Sequence, residues 1–90
     1  MNEATVLTQA DCAWCERAKT VLGRLADEEG FSVREIDLGS TDGRRLAERY
    51  RVLFAPGIVY ADQLVAYGRV SERALRRRLA RLAASTPEPG

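Results

Sequence analysis

Ninety residues, of which 46% are hydrophobic and 30% charged, make one ordinary globular domain large enough to bury a modest core without a metal or disulfide staple. Fourteen basic and thirteen acidic residues leave a formal charge of +1, which argues against nucleic-acid binding driven by overall charge. No apolar run approaches the roughly 18 residues of a membrane span, and MNEATVLTQA lacks the basic head and apolar stretch of a signal peptide, so a cytoplasmic protein is expected.

The elements follow in chain order. Residues 4–8 (ATVLT) are apolar and β-branched and predict a short buried strand. Asp11 stands where a helix N-cap is wanted. Cys15, Ala18, Val21, Leu22 and Leu25 recur at helical spacing, which predicts an amphipathic helix from residue 12 to about 28, closed by Gly30. FSVREIDL (31–38) sets Phe31, Val33, Glu35 and Asp37 against Ser32, Arg34, Ile36 and Leu38, an imperfect strand pattern. Ser40, Thr41 and Asp42 offer caps for a second helix with Leu46, Ala47 and Tyr50 on one face. Pro56 cannot donate a ladder hydrogen bond, so it belongs at the start of a strand. GIVYA (57–61) and QLVAY (63–67) then predict a hairpin turning near Asp62, although no Asn-Gly or Asp-Gly marks it. Ser71 and Glu72 open a last helix whose buried face is Leu75, Leu79 and Leu82, and residues 84–90 read as a frayed tail. The order β-α-β-α-β-β-α predicts an α/β fold over residues 1–90, a four-stranded mixed sheet flanked by three helices.

Chemistry concentrates in DCAWCERAK (11–19), which holds both cysteines and the one lysine of a chain without histidine. Two cysteines in a short cytoplasmic chain point to redox or metal chemistry rather than to structural bridging. A spacing of three next to a βαβ pattern is a redox signature. Cys12 falls at the end of the first strand, in the first turn of the helix, where unpaired N–H groups and the helix dipole favour a thiolate. Only the thiolate attacks a disulfide, so this placement supplies a nucleophile without a histidine base. Cys15, one turn on, faces the protein and suits a resolving thiol. The negative charge of Asp11 opposes the thiolate unless capping engages it. Lys19 reads as pointing to water. Two cysteines and no histidine fall short of a structural zinc site, which leaves an iron–sulfur cluster shared between two chains as the metal alternative. No metal or bound cofactor is expected.

LTQADCAWCERAK (7–19), the LFAPG segment (53–57) and YGRVSE (67–72) together resemble the thioredoxin-fold family, in particular its small bacterial glutaredoxin-like members, over residues 4–82. The resemblance implies thiol–disulfide exchange, with Cys12 attacking, Cys15 resolving and the Ala55–Pro56 bond cis. The backbone of Ala55 would then pair with an incoming peptide or thiol. Gln9, Trp14, Tyr67 and Arg69 fall where the family's substrate passes. The departures are specific. Ala13-Trp14 replaces the common Pro-Tyr, Gln9 replaces a lysine, Phe54-Ala55-Pro56 replaces Thr-Val-Pro, and Tyr67-Gly68-Arg69 replaces a Gly-Gly-acidic segment that helps hold glutathione. The dithiol pattern is intact while the glutathione pattern is not. Thioredoxin proper fits less well, because its Trp-Cys-Gly-Pro-Cys core is missing.

Trp14 reads either as a docking surface or as packing on the domain, and Arg69 either as a solvated residue or as a contact for a substrate carboxylate. Arg73, Arg76, Arg77, Arg78 and Arg81 make the last helix basic, either a solvated face or a site for an acidic protein partner. Expected partners are a protein disulfide or a low-molecular-weight thiol, with no nucleic acid, no membrane and a monomeric state. The competing reading is a redox-sensing or protein-interaction module with little turnover.

Overall fold

A computed structural model describes residues 3–69 and 71–85, with side chains described as far as residue 82. The elements are β1 (Glu3–Thr8), α1 (Ala13–Glu29), β2 (Ser32–Asp37), α2 (Thr41–Tyr50), β3 (Gly57–Tyr60), β4 (Gln63–Tyr67) and α3 (Glu72–Ser85). They occur in the expected order, and the strands form one mixed sheet in the order β2-β1-β3-β4. β1 runs parallel to β2 and antiparallel to β3, and β3 runs antiparallel to β4. From residue 86 on, the expected tail lies outside the described residues.

Alternation along the two central strands divides the apolar side chains between the faces of the sheet. Ala4 and Val6 of β1, Ile58 and Tyr60 of β3 and Val65 of β4 pack with Ala18, Val21, Leu22, Leu25 and Ala26 of α1 and with Leu75 and Leu79 of α3. Phe31 meets Tyr60 edge to face in this layer, their ring centroids 5.3 Å apart. Leu7, Ile36 and Val52 form a smaller cluster on the other face, against half-buried Leu46, Ala47 and Tyr50 of α2 and Leu64 and Tyr67 of β4. Ion pairs lace α1 to α3, Arg24 with Glu72 and Arg76 with Glu28, and Arg76 also pairs with Glu72 within α3. The basic helix is thus partly neutralised by its neighbours: Arg76 is paired, and Arg78 donates to the Leu64 carbonyl at 3.2 Å.

Several local expectations need correction. The N-cap of α1 is Cys12, and Asp11 precedes it with a left-handed φ of 54°. Propensity favours the carboxylate as a cap, but the tight turn after β1 brings the Cys12 sulfur to the Cys15 N–H at 3.1 Å. β2 buries only Ile36 among its six residues, because it is an edge strand, and Phe31 lies just before it. β3 ends at Tyr60, and Ala61 and Asp62 turn the hairpin with φ of 52° and 60°. Two consecutive positive φ values match the right-handed strand twist without the glycine such turns usually use. α2 closes on Arg51, whose φ of 57° is also left-handed.

Candidate functional site

Strand register brings the site residues to one end of the sheet. Thr8 at the end of β1 pairs with Asp37 at the end of β2, Leu7 pairs with Gly57 at the start of β3, and Gly57 pairs with Tyr67 at the end of β4. The chain leaving β1 (residues 9–12) and the chain entering β3 (residues 53–56) therefore share this edge. In an open α/β sheet, ligands gather at the strand ends where connections diverge.

Cys12 and Cys15 are joined as a disulfide, their Cα atoms 5.2 Å apart. Their environments differ. Cys15 is only 1% exposed and belongs to the buried face of α1, whereas Cys12 is half-buried at the helix cap. The Cys12 sulfur accepts from the Cys15 N–H, and its carbonyl accepts from the Glu16 N–H at 3.2 Å, the first hydrogen bond of the helix. The cap therefore points a sulfur at one of the N–H groups that a helix leaves unpaired. Lys19 does not simply face water. Its ammonium lies 2.9 Å from Glu16 and 3.4 Å from Glu35. The Glu16 hydrogen bond chiefly, opposed by some burial and aided by Glu35, holds it above the usual lysine value. Thr8, the one buried polar residue among those described, donates from Oγ1 to the same Glu35 carboxylate at 3.1 Å.

The Ala55–Pro56 peptide is cis, and both residues are buried. The Pro56 carbonyl accepts from Gly68 N–H at 2.8 Å, while no main-chain hydrogen bond engages Ala55 among the described residues. Gly68 holds a φ of 76°, which only glycine adopts at no steric cost. Ahead of the proline, Leu53 is 85% and Phe54 54% exposed, large apolar side chains that sequence periodicity did not single out as surface. Tyr67 braces this segment. Its hydroxyl accepts from the Leu53 N–H at 2.6 Å and its ring stacks on Phe54 with centroids 4.7 Å apart. Tyr67, expected along the substrate's path, engages the segment before the proline with its hydroxyl and ring.

Trp14 is 44% exposed, and the Arg69 guanidinium lies over its ring, 4.8 Å from the centroid. The two residues come together from the helix cap and the β4 exit. Arg17, which sequence reasoning passed over, joins them in one cleft. The available signal was its position three residues after Trp14, on the same side of α1. Gln9 is exposed and lies on the opposite flank, in a cleft with Asp11, Glu16, Glu35 and Asp37. Among the described residues no group of His, Cys, Asp and Glu is arranged to hold a metal ion, and no helix is long and apolar enough to cross a membrane.

Comparison with known proteins agrees with this fold. A probable thioredoxin of Archaeoglobus fulgidus is 25% identical over 77 residues, covering 86% of this chain and 85% of that protein. The fold matches the solution structure of a thioredoxin-like protein from Clostridium perfringens with a TM-score of 0.75 and 16% identity, over 100% of this chain and 77% of the other. A mutant thioredoxin of Halobacterium salinarum matches with a TM-score of 0.69 and 22% identity, over 98% of this chain and 78% of the other. The fold is thus a thioredoxin fold, and its Cys-x-x-Cys pair supports a thiol redox role. The family model for the glutaredoxin-like domain (DUF836) matches residues 3–80, and the chain belongs to that family.

Proposed function

We propose that the protein is a thiol–disulfide oxidoreductase working through the Cys12–Cys15 couple. The observation that carries this reading is the asymmetry of the pair, a half-buried cysteine on the helix cap and a fully buried one a turn below it. In the reduced protein the Cys12 thiolate attacks one sulfur of a substrate disulfide. A Cys12–substrate disulfide forms, and the other substrate sulfur leaves as a thiolate that takes a proton from water. Cys15 then loses its proton and attacks the Cys12 sulfur. The second substrate thiol departs, and the Cys12–Cys15 disulfide is restored. The substrate gains two electrons and two protons, and the protein dithiol loses them. An external dithiol reductant resets the couple, so no bound cofactor enters.

The Cys15 N–H that donates to the Cys12 sulfur is placed to hold the charge of the attacking thiolate. The free main chain of Ala55 is suited to pair with the substrate backbone as the sulfurs align. We place this chemistry in a reducing cytoplasm and in a monomer. A second reading, a redox-dependent interaction module, is favoured by the exposure of Trp14, Leu53 and Phe54 beside the pair.

Turnover of a protein disulfide with a dithiol reductant separates the two. Cys12→Ser is expected to abolish turnover, and Cys15→Ser to accumulate a mixed disulfide at Cys12 that mass spectrometry reads as a substrate adduct. Equilibration in graded dithiol buffers followed by alkylation should show a single two-thiol transition. Absence of that transition, or turnover surviving in Cys12→Ser, overturns the oxidoreductase reading. A redox-dependent complex without turnover would favour the interaction module.

A further inference from the structure

The two flanks of the disulfide carry opposite charge. An α-helix turns about 100° per residue, so Trp14 and Arg17 share one side of α1 while Glu16 lies on the other. On the β4 side a cleft of about 470 Å³ is lined by Trp14, Arg17, Arg69, Ser71 and Glu72. Its one carboxylate is already engaged, Oε1 of Glu72 by Arg24 and Oε2 by Arg76. Among the described residues neither the Arg17 nor the Arg69 side chain has an ion-pair or hydrogen-bond partner, and the Arg69 guanidinium lies over the Trp14 ring. Ser71 Oγ accepts from the Ala74 N–H at 3.3 Å, which leaves its hydroxyl proton free to donate. The cleft thus presents two uncompensated guanidinium groups, a hydroxyl donor and an aromatic wall. On the β2 side, a cleft of about 500 Å³ is rimmed by Asp11, Glu16, Glu35 and Asp37, with Lys19 shared between two of these carboxylates.

We propose that the Trp14–Arg17–Arg69 cleft selects substrates by a peptidyl carboxylate, an Asp or Glu side chain next to the reacting cysteine of a protein disulfide. This rests on the exchange reading above and names its substrate class. A guanidinium stacked on a ring keeps its in-plane N–H groups available, the arrangement that takes a carboxylate bidentately. The carboxylate rim across the disulfide repels the same side chain, so the substrate enters in one orientation. Exposed charge pairs are weak one by one, so the expected preference is up to about fivefold per arginine at low salt, shrinking as salt rises.

The test uses the reduced full chain and three peptide disulfides differing only in the residue beside cysteine: Asp, Asn or Lys. Reaction rates are read by stopped flow. Trp14 is the only tryptophan, so its emission also reports binding of the same peptides with serine in place of cysteine. The Asp peptide should react fastest and the Lys peptide slowest, and only the Asp peptide should shift Trp14 emission saturably. Arg17→Gln and Arg69→Gln should each reduce the Asp-to-Asn rate ratio by up to about fivefold, with thermal midpoints confirming that both variants fold. Equal rates for the three peptides, or a ratio unchanged in both variants, overturns the proposal. Oxidised glutathione reacting with the same arginine dependence while the Asp peptide shows none also overturns it, in favour of a small anionic disulfide. Failure of every peptide to react refutes the exchange reading instead, and the emission titration then decides the cleft alone: a saturable Asp-specific shift supports it, and a flat response overturns it.

Discussion

The two faces of the sheet are packed unequally, and the candidate site straddles them. The face under α1 and α3 joins thirteen buried residues in one cluster, while the face under α2 joins three and relies on half-buried neighbours. Cys15 and Ala18 root the disulfide-bearing end of α1 toward the heavier face. The segment before Pro56 is fixed from the lighter face, through Val52 in its cluster and through Tyr67 on Leu53 and Phe54. The disulfide-bearing end is therefore anchored in the larger cluster, and the segment before Pro56 hangs on a few contacts. Such segments open at lower free energy than the core around them.

The sharpest way to break this comparison is to cut an equal side chain from each face. Leu22 is fully buried in the heavy cluster, so Leu22→Ala removes the transfer term and leaves a cavity, about 3 kcal/mol. Leu46 is half-buried on α2, and Leu46→Ala should cost about 1 kcal/mol. Urea unfolding of both variants measures the difference, and equal losses would mean that the faces bear load alike. Next comes Gly43, the tightest approach of α2 to the sheet end. A Cβ there would meet the Asp37 carbonyl oxygen and lie 2.9 Å from the Leu38 Cα, both backbone atoms that cannot swing away. Gly43→Ala should therefore cost about 2 kcal/mol despite alanine's better helix propensity, and a stabilised variant would show that α2 can slide.

The sequence patterns that carried the reading are those with local causes. The helical spacing of Cys15, Ala18, Val21, Leu22 and Leu25, and the leucines of α3, marked the heavy face because periodicity and burial coincide there. β2 was blurred, since an edge strand with only Ile36 buried has little reason to alternate. The cap was misassigned by one residue, because propensity ranks aspartate above cysteine and says nothing of a turn that puts φ at 54° on Asp11. Arg51, Ala61 and Asp62 take left-handed conformations that neither glycine nor asparagine announces. At the site, the cysteine pair and the proline could be read from their spacing and from resemblance. The Tyr67 clamp on Leu53 and the meeting of Arg69 with Trp14 join residues far apart in the chain, and no local pattern records them.

Tyr67 sharpens the comparison from the lighter side. Tyr67→Phe keeps the stack on Phe54 and deletes the hydrogen bond to the Leu53 N–H, a loss of about 1 kcal/mol. Hydrogen exchange should rise in residues 52–56 more than in α1, and kcat/KM for a protein disulfide should fall. Uniform exchange across both regions would show that the segment is held by more than this clamp.

The smallest effect is expected on the rim of the heavier face, where Glu28 meets Arg76 at 2.7 Å with both side chains more than two-fifths exposed. The hydrogen bond from Arg76 chiefly, against slight desolvation, holds the Glu28 carboxyl below its ordinary value of 4.5. A carboxyl lowered on folding binds fewer protons in the native state. Its contribution is complete above that ordinary value and disappears as pH falls through the lower folded one. Thermal midpoints of the wild type and Glu28→Gln should therefore differ slightly at pH 6, converge below the folded value, and draw together in high salt. Arg76 keeps Glu72 as a partner in the variant, which limits the loss further. A gap that widened on acidification would reverse the sign of this linkage. It would also show that Glu28 acts on the α1–α3 edge through something other than its charge.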